Sequence, residues 1–387
     1  MLKTPPSDYW KKHEEFPQIG LRFPIKSPDG KAYFLDVIDG EIGHGAYGVT
    51  YRAELTNPRD EIIYGRIKPK YIVKQYFIFD MQRPELALSH AYHEFYTARY
   101  LERLDIAKPS LFEKSKEEKL REAKLNGMCV KFAACAIDMF VDLSQNLILT
   151  VFPFDDAQNL DAYMTNQFYQ SFATDPLNYR KQVLNISKRV CGIVKILNDA
   201  EIYHDDIKAT NMIVNAADVE LGKTPVVTEL KFIDFGETCM DFQTIAKLQQ
   251  PGDTPDMMEH MLCDTPHGTM SASYRGTEGY RDPAAKKVYK YDNVKILWPL
   301  FEMYSCAVVM QHLIDPHFRM LRPVRFVKTE RSTTEFSDLI DWMTVPLTHE
   351  RTGEFHTWVG RPHAANRGRP SWEQVMTRLE EIEQNLE

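Results

Sequence analysis

The periodicity of the apolar residues changes once along this chain, near residue 153, and that change limits the folds open to it. Upstream, the runs 32–38, 49–55, 71–79, 135–141 and 147–151 are short and rich in β-branched and aromatic residues, as strands are. One stretch among them, 85–104, repeats Leu88, Tyr92, Phe95 and Ala98 at helical spacing and predicts a helix. Downstream the pattern is helical. Residues 179–200 put Val183, Ile186, Val190, Val194 and Leu197 on one face. The 300–314 stretch is apolar nearly all round, with Pro299 expected in the first turn, and 372–386 is amphipathic. A chain of 387 residues exceeds one ordinary core. The expectation is an α+β protein: a small antiparallel β-sheet lobe with one helix, residues 31–152, and a larger mainly helical lobe, residues 153–387. Residues 1–30, rich in Pro and Lys and aperiodic, read as an N-terminal extension. The cleft between two such lobes is the default ligand site. The charge-dense stretch 114–124 reads as a solvated helix or an insertion.

Four motifs carry chemistry. Gly43-His44-Gly45-Ala46-Tyr47-Gly48 lies between two strand-like runs, where glycines let a backbone hairpin approach phosphates closely; a plain structural turn has about even odds. Lys74 ends the apolar run Tyr71-Ile72-Val73 and needs a partner if it enters a core, either a phosphate or Glu94; the bland alternative is a strand-end lysine reaching solvent. His204-Asp205-Asp206-Ile207-Lys208-Ala209-Thr210-Asn211 follows the long helix and arises by chance on the order of once in 10³ chains of this size. There Asp206 can accept the proton of an attacking hydroxyl, Lys208 can neutralise a transferred phosphoryl group, and Asn211 offers an oxygen to Mg²⁺. Last, Lys231-Phe232-Ile233-Asp234-Phe235-Gly236 delivers a carboxylate at the end of an apolar strand. Alone it is a common strand-ending turn; with Asn211 upstream it becomes a second oxygen ligand for a hard cation.

The net charge of −8 argues against a nucleic-acid partner, which would want a basic surface. The longest apolar run, 304–314, is half the roughly 20 residues of a membrane span, so no such span is expected. The six cysteines show no Cys-x-x-Cys spacing, so neither a disulfide framework nor a zinc site is expected and a reducing, cytoplasmic compartment fits.

Taken in order, these motifs resemble those of the eukaryotic-type Ser/Thr protein kinases, over nearly the whole chain from residue 31 onward. The resemblance implies a bilobal protein-kinase-like fold and transfer of the ATP γ-phosphoryl group to Ser/Thr hydroxyls of protein substrates. ATP and Mg²⁺ are the implied cofactors, and a regulatory protein is a possible further partner. Asp206 would be the base, with Lys208 beside it, and Asn211 and Asp234 would hold the metal. Gly43, Gly45 and Gly48 would cover the phosphates, and Lys74 would hold two of them with Glu94 as its helix partner. Thr50, Ile72, Phe152, Phe154, Asp155 and Ile213 complete the implied nucleotide set, Phe152 as gatekeeper and Pro153 to Asp155 as the hinge. Thr277, in Gly276-Thr277-Glu278-Gly279-Tyr280-Arg281-Asp282-Pro283, matches the threonine that contacts the catalytic Asp and Lys in Ser/Thr-directed members.

The chain also departs from the pattern. Asp205 replaces the arginine that normally receives an activation-segment phosphate, and a carboxylate there would repel one. Activity without activation-loop phosphorylation is therefore expected. Ala284 stands where a glutamate normally pairs with the late arginine, here Arg369, so that either Asp282 substitutes or the link is absent. Glu302 replaces an Asp in the central helix. The segment 234–283, including 251–253 and 257–260, is long, and either docks a partner or is an insertion. Such divergence resembles bacterial or viral kinases acting in a eukaryotic cell, which implies delivery into a host cytosol. Two alternatives stay open: a kinase-fold scaffold without phosphoryl transfer, and a small-molecule or lipid kinase.

Overall fold

The structure, a computed structural model, describes residues 22–26, 32–44, 48–56, 70–77, 85–103, 131–143, 147–217, 225–248, 261–263, 276–287, 294–316, 329–352, 355–360, 362–363 and 366–386. Gly45, the 114–124 stretch and the 251–253 and 257–260 segments lie outside the described residues. The chain forms two compact units, residues 1–99 with 134–155 and residues 100–133 with 156–387.

The first unit is built on a six-stranded antiparallel sheet in the order β1-β2-β3-β4-β6-β5. Its strands are β1 at Arg22–Lys26, β2 at Ala32–His44, β3 at Gly48–Thr56, β4 at Lys70–Tyr76, β5 at Asp138–Asp142 and β6 at Leu147–Pro153. β1 falls within the aperiodic N-terminal extension and docks on the sheet by pairing with β2; Phe23 anchors it by burying its ring in the core. Because successive side chains point to opposite faces, Val49, Tyr51, Ala53, Val73, Leu149 and Val151 pack together on one side. The other side receives helix α1, Glu85–Arg103, through Tyr76, Ala87, Ala91 and Ile148. That alternation turns Lys74 and Tyr76, which flank the odd-numbered residues of β4, towards α1.

In the second unit, helix α2 (Pro176–Asp199) starts where Asp175 accepts from the Asn178 N–H at 3.1 Å and Pro176 supplies a preset φ. Its expected apolar face is buried, Val183, Ile186, Val190, Val194 and Leu197 included. α2 packs against α3 (Val294–Ile314) and α5 (Trp372–Gln384), while α4 (Thr334–Met343) contacts α3 and α5. α5 begins with a reciprocal cap between Ser371 and Gln374. Short strands complete the unit: β7 (Gln158–Asn159), β9 (Met212–Ala217) and β10 (Val226–Phe232) form one sheet, and β8 (Ile202–Tyr203) pairs with β11 (Cys239–Met240).

Two expectations need correction. Pro299 is not in a first turn: α3 begins at Val294, so the proline sits inside the helix. The missing N–H costs about 3 kcal/mol, and the burial of Leu297 and Trp298 in the surrounding core offsets it. The cysteines do form disulfides. Cys239 is bonded to Cys263, with Cα atoms 5.1 Å apart, and Cys135 is likewise disulfide-bonded; Cys191 and Cys306 are buried free thiols. Cys239 is carried by β11 and Cys263 by a segment whose Leu262 bridges Met240, so backbone pairing and not sequence spacing sets this contact. Among the described residues, no helix is long and apolar enough to cross a membrane.

Candidate active site

The polar residues singled out in the first unit meet on the α1 side of the sheet. The Lys74 ammonium lies 2.8 Å from Glu94 Oε2, and the carboxylate is almost wholly buried. A charge so placed is costly unless paired, so the solvent-reaching alternative for Lys74 falls away. Glu94 has a second donor, the buried Tyr76 hydroxyl. The cross-strand register sets Thr50 opposite Lys74 and Ile72 opposite Phe152. Phe154, just past β6, carries the Arg52 guanidinium 4.9 Å from its ring centre and the Lys70 ammonium at 5.9 Å. Gly43, near the end of β2, and Gly48, at the start of β3, are not equivalent. A Cβ at Gly48 would fall 2.3 Å from the Gln75 carbonyl oxygen, whereas one at Gly43 meets only ordinary contacts. Strand packing alone therefore requires glycine at 48.

In the second unit, β8 leads into the His204–Asn211 loop and brings Asp206, Lys208, Asn211 and Thr277 together. Asp206 Oδ1 accepts from the Thr277 N–H at 2.8 Å and from the Thr277 hydroxyl; Oδ2 accepts from Lys208 Nζ at 2.7 Å and Asn211 Nδ2 at 2.9 Å. Lys208 also donates to Thr277 Oγ1 at 2.9 Å. Asn211 Nδ2 donates to the Asp206 carbonyl as well, at 2.9 Å, which leaves the amide oxygen as the group available to a cation.

β9 and β10 set the partner carboxylate. The Ile233 N–H donates to the Asn211 carbonyl at 3.0 Å, so Asp234 follows directly beyond the strand end that holds Asn211. Asp234 has φ 62° and ψ 66°, a left-handed conformation uncommon for a non-glycine residue and more frequent at functional sites. Among the described residues no three His, Cys, Asp or Glu side chains cluster with metal-binding geometry. The candidate donors are one amide and one carboxylate, a set that suits a Mg²⁺ sharing its remaining positions with phosphates. Ile213, one residue after the start of β9, belongs to this unit, and the other nucleotide-set residues belong to the first.

The loop is held from beneath. Burial drives the His204 imidazole towards its neutral form. The tautomer protonated at Nε2 then donates to the Ile233 carbonyl at 3.1 Å and leaves Nδ1 to face the Asp206 N–H at 3.4 Å. Asp205, at φ 64°, donates its N–H to Glu302 Oε1 at 3.0 Å. Glu302, on α3, also accepts from Asn198 Nδ2, and the Trp372 indole donates to Asn198 Oδ1 at 2.9 Å. Arg369 Nη1 lies 2.6 Å from Asp282 Oδ2 with both side chains buried, which resolves the alternative left open at Ala284: Asp282 is the partner.

No family profile matches the chain, and no curated protein does. Among solved structures, the crystal structure of the BubR1 kinase domain is similar to it, with a TM-score of 0.52 over 98% of this chain and 92% of that one at 16% sequence identity. The fold is protein-kinase-like. At that identity the likeness speaks for the fold and leaves the chemistry to the side chains.

Within the kinase-like fold, sequence reasoning missed Tyr76, Asn198 and Trp372. Each is an aromatic or amide residue on a regular apolar element, where periodicity assigns it to the core and says nothing of its polar end. Glu302 drew notice only as a departure from the family pattern.

Proposed function

We propose that the chain is a Mg-ATP-dependent protein kinase acting on Ser/Thr hydroxyls of protein substrates. The observation that carries this reading is the Asp206 carboxylate, oriented by Lys208, Asn211 and Thr277 at one end of a hairpin whose other strand delivers Asp234. In the proposed reaction the acceptor oxygen bonds to the γ-phosphorus, the bond from that phosphorus to the β,γ-bridging oxygen breaks, and the hydroxyl proton passes to Asp206. Lys208 neutralises charge on the phosphoryl oxygens, and Lys74, set by Glu94, holds the α- and β-phosphates. Asn211 and Asp234 would hold Mg²⁺, which when bound supplies charge neutralisation on the phosphates. Thr277 beside Lys208 supports a Ser/Thr acceptor. Gly43, Gly45 and Gly48 are assigned to the phosphates, and Thr50, Ile72, Phe152, Phe154, Asp155 and Ile213 to the adenosine.

One observation favours the scaffold reading. A carboxylate offers about four lone-pair sites, and within this chain Asp206 already accepts four hydrogen bonds. An acceptor hydroxyl must displace one of them, and the Thr277 hydroxyl, which rotates about a single bond, is the donor most easily turned away. Incubating the purified protein and its Asp206→Asn variant with Mg-ATP and a cell extract, followed by phosphosite mapping, separates the readings. New phosphoserine or phosphothreonine with the wild type alone is expected. Identical maps from the two proteins would sink the kinase assignment in favour of the scaffold.

A further inference from the structure

Tyr76 lies two residues beyond Lys74 on β4 and faces the same side of the sheet, so both reach Glu94. Its ring is buried, and it touches both members of the ion pair. The hydroxyl bonds Glu94 Oε2, and the Lys74 ammonium stands 5.2 Å from the ring centre, within range of a cation–π attraction. The direction of the bonds follows from what each group can do. A carboxylate without its proton only accepts, so Tyr76 donates to Glu94; the tyrosine oxygen then accepts from the Thr150 hydroxyl, 3.2 Å away on β6. Burial first, and the Glu94 charge second, push the Tyr76 hydroxyl well above its usual range, which keeps the donor in place. Donation thus runs from Thr150 on β6 through Tyr76 on β4 to Glu94 on α1, where Lys74 donates to the same carboxylate oxygen, and Thr150, Tyr76 and Glu94 are all nearly inaccessible to solvent.

A strand tyrosine at this place has a bland purpose, filling the space between sheet and helix, and phenylalanine would serve that equally well. The hydroxyl is what packing does not explain. We infer that Tyr76 is a positioning residue: its hydroxyl, steadied by Thr150, fixes the Glu94 carboxylate against Lys74, so that the phosphate-binding lysine is set in the resting protein without an activating partner. The inference rests on the kinase reading for what Lys74 binds, but the positioning itself is a property of the unliganded chain.

Two readouts on Tyr76→Phe, alone and combined with Glu94→Gln, test it. The first is the rate at which trace acylating reagent modifies Lys74 in the absence of nucleotide, measured by mass spectrometry. The second is Mg-ATP affinity. Loss of a hydrogen bond to a charged group corresponds to roughly tenfold, so Tyr76→Phe is expected to raise Lys74 labelling and weaken Mg-ATP binding by about that factor. In the Glu94→Gln background the same change should have little effect, because the group it positions is gone. Thr150→Val should reproduce part of the Tyr76→Phe effect. Unchanged Lys74 labelling in Tyr76→Phe, or an equal change in both backgrounds, overturns the inference. If labelling responds as expected but the wild type binds no Mg-ATP, Tyr76 stands as a positioning residue and the kinase reading is what falls.

Discussion

Glu302 brings a carboxylate into the fully buried centre of the second unit. Burial pushes it from its ordinary 4.5 up to about 7, against the pull of N–H donors from Asp205, Asn198 and His204. The folded protein therefore binds that proton more tightly than the unfolded chain does. The resulting stability is complete below about 4.5 and is lost as pH rises through about 7. A shift of that size corresponds to something on the order of 3 kcal/mol. Glu302→Gln carries no ionisable group, so denaturation of the two proteins at pH 5, 6, 7 and 8 isolates the effect: the wild type should lose ground steadily as pH rises. Parallel stability curves would show that Glu302 does not titrate in this window. Much at this scale was legible in the sequence, because Asp206, Lys208 and Asn211 sit within one turn of chain and their chemistry needs that spacing. Tyr76 was not, since a tyrosine in an apolar strand reads as core whichever group its hydroxyl meets.

Among the elements, the short pairing of β8 with β11 does more than its length suggests. β8 feeds the loop that holds Asp206, and β11 follows Asp234 by a few residues. Met240 on β11 also takes up the 261–263 segment through a hydrogen bond from its N–H to the Met261 carbonyl at 2.7 Å and one from the Cys263 N–H at 3.0 Å. The Cys239–Cys263 bond makes that junction covalent across a sequence separation of 24. Closing a loop of that length stabilises a protein by about 3 kcal/mol. Replacing both cysteines by serine should lower the unfolding free energy by about that amount; a double-serine variant whose denaturation curve coincides with that of the oxidised wild type would refute the tie. A segment anchored this way has no evident need of a phosphate, and Asp205 offers none a welcome. Under the proposed kinase reading, phosphatase-treated protein is accordingly expected to phosphorylate the extract as well as untreated protein does, and a dephosphorylated form inert where the untreated one is active would contradict this. The elements themselves were largely legible, as α2 shows. The disulfide was not, for its partners are joined only by backbone pairing that no local spacing announces. Pro299 misled in the opposite sense, because a local rule for helix starts yielded to the burial of Trp298.

Across the whole molecule, the shift from strand to helix periodicity near residue 153 led to the expectation of a sheet-based unit and a helical one; residues 100–133, expected in the first, fall in the second. What periodicity could not convey is how far apart in sequence the supports of the second unit lie. The Trp372 indole closes the string of hydrogen bonds that ends on the Asp205 backbone, and it stands 174 residues beyond Asn198, the amide it binds. On a ribosome, α2, the loop and Asp206 all emerge well ahead of that indole. Every nascent chain that stops short of residue 372 lacks the last link, and the amide that grips the Glu302 carboxylate still awaits the indole that will hold it.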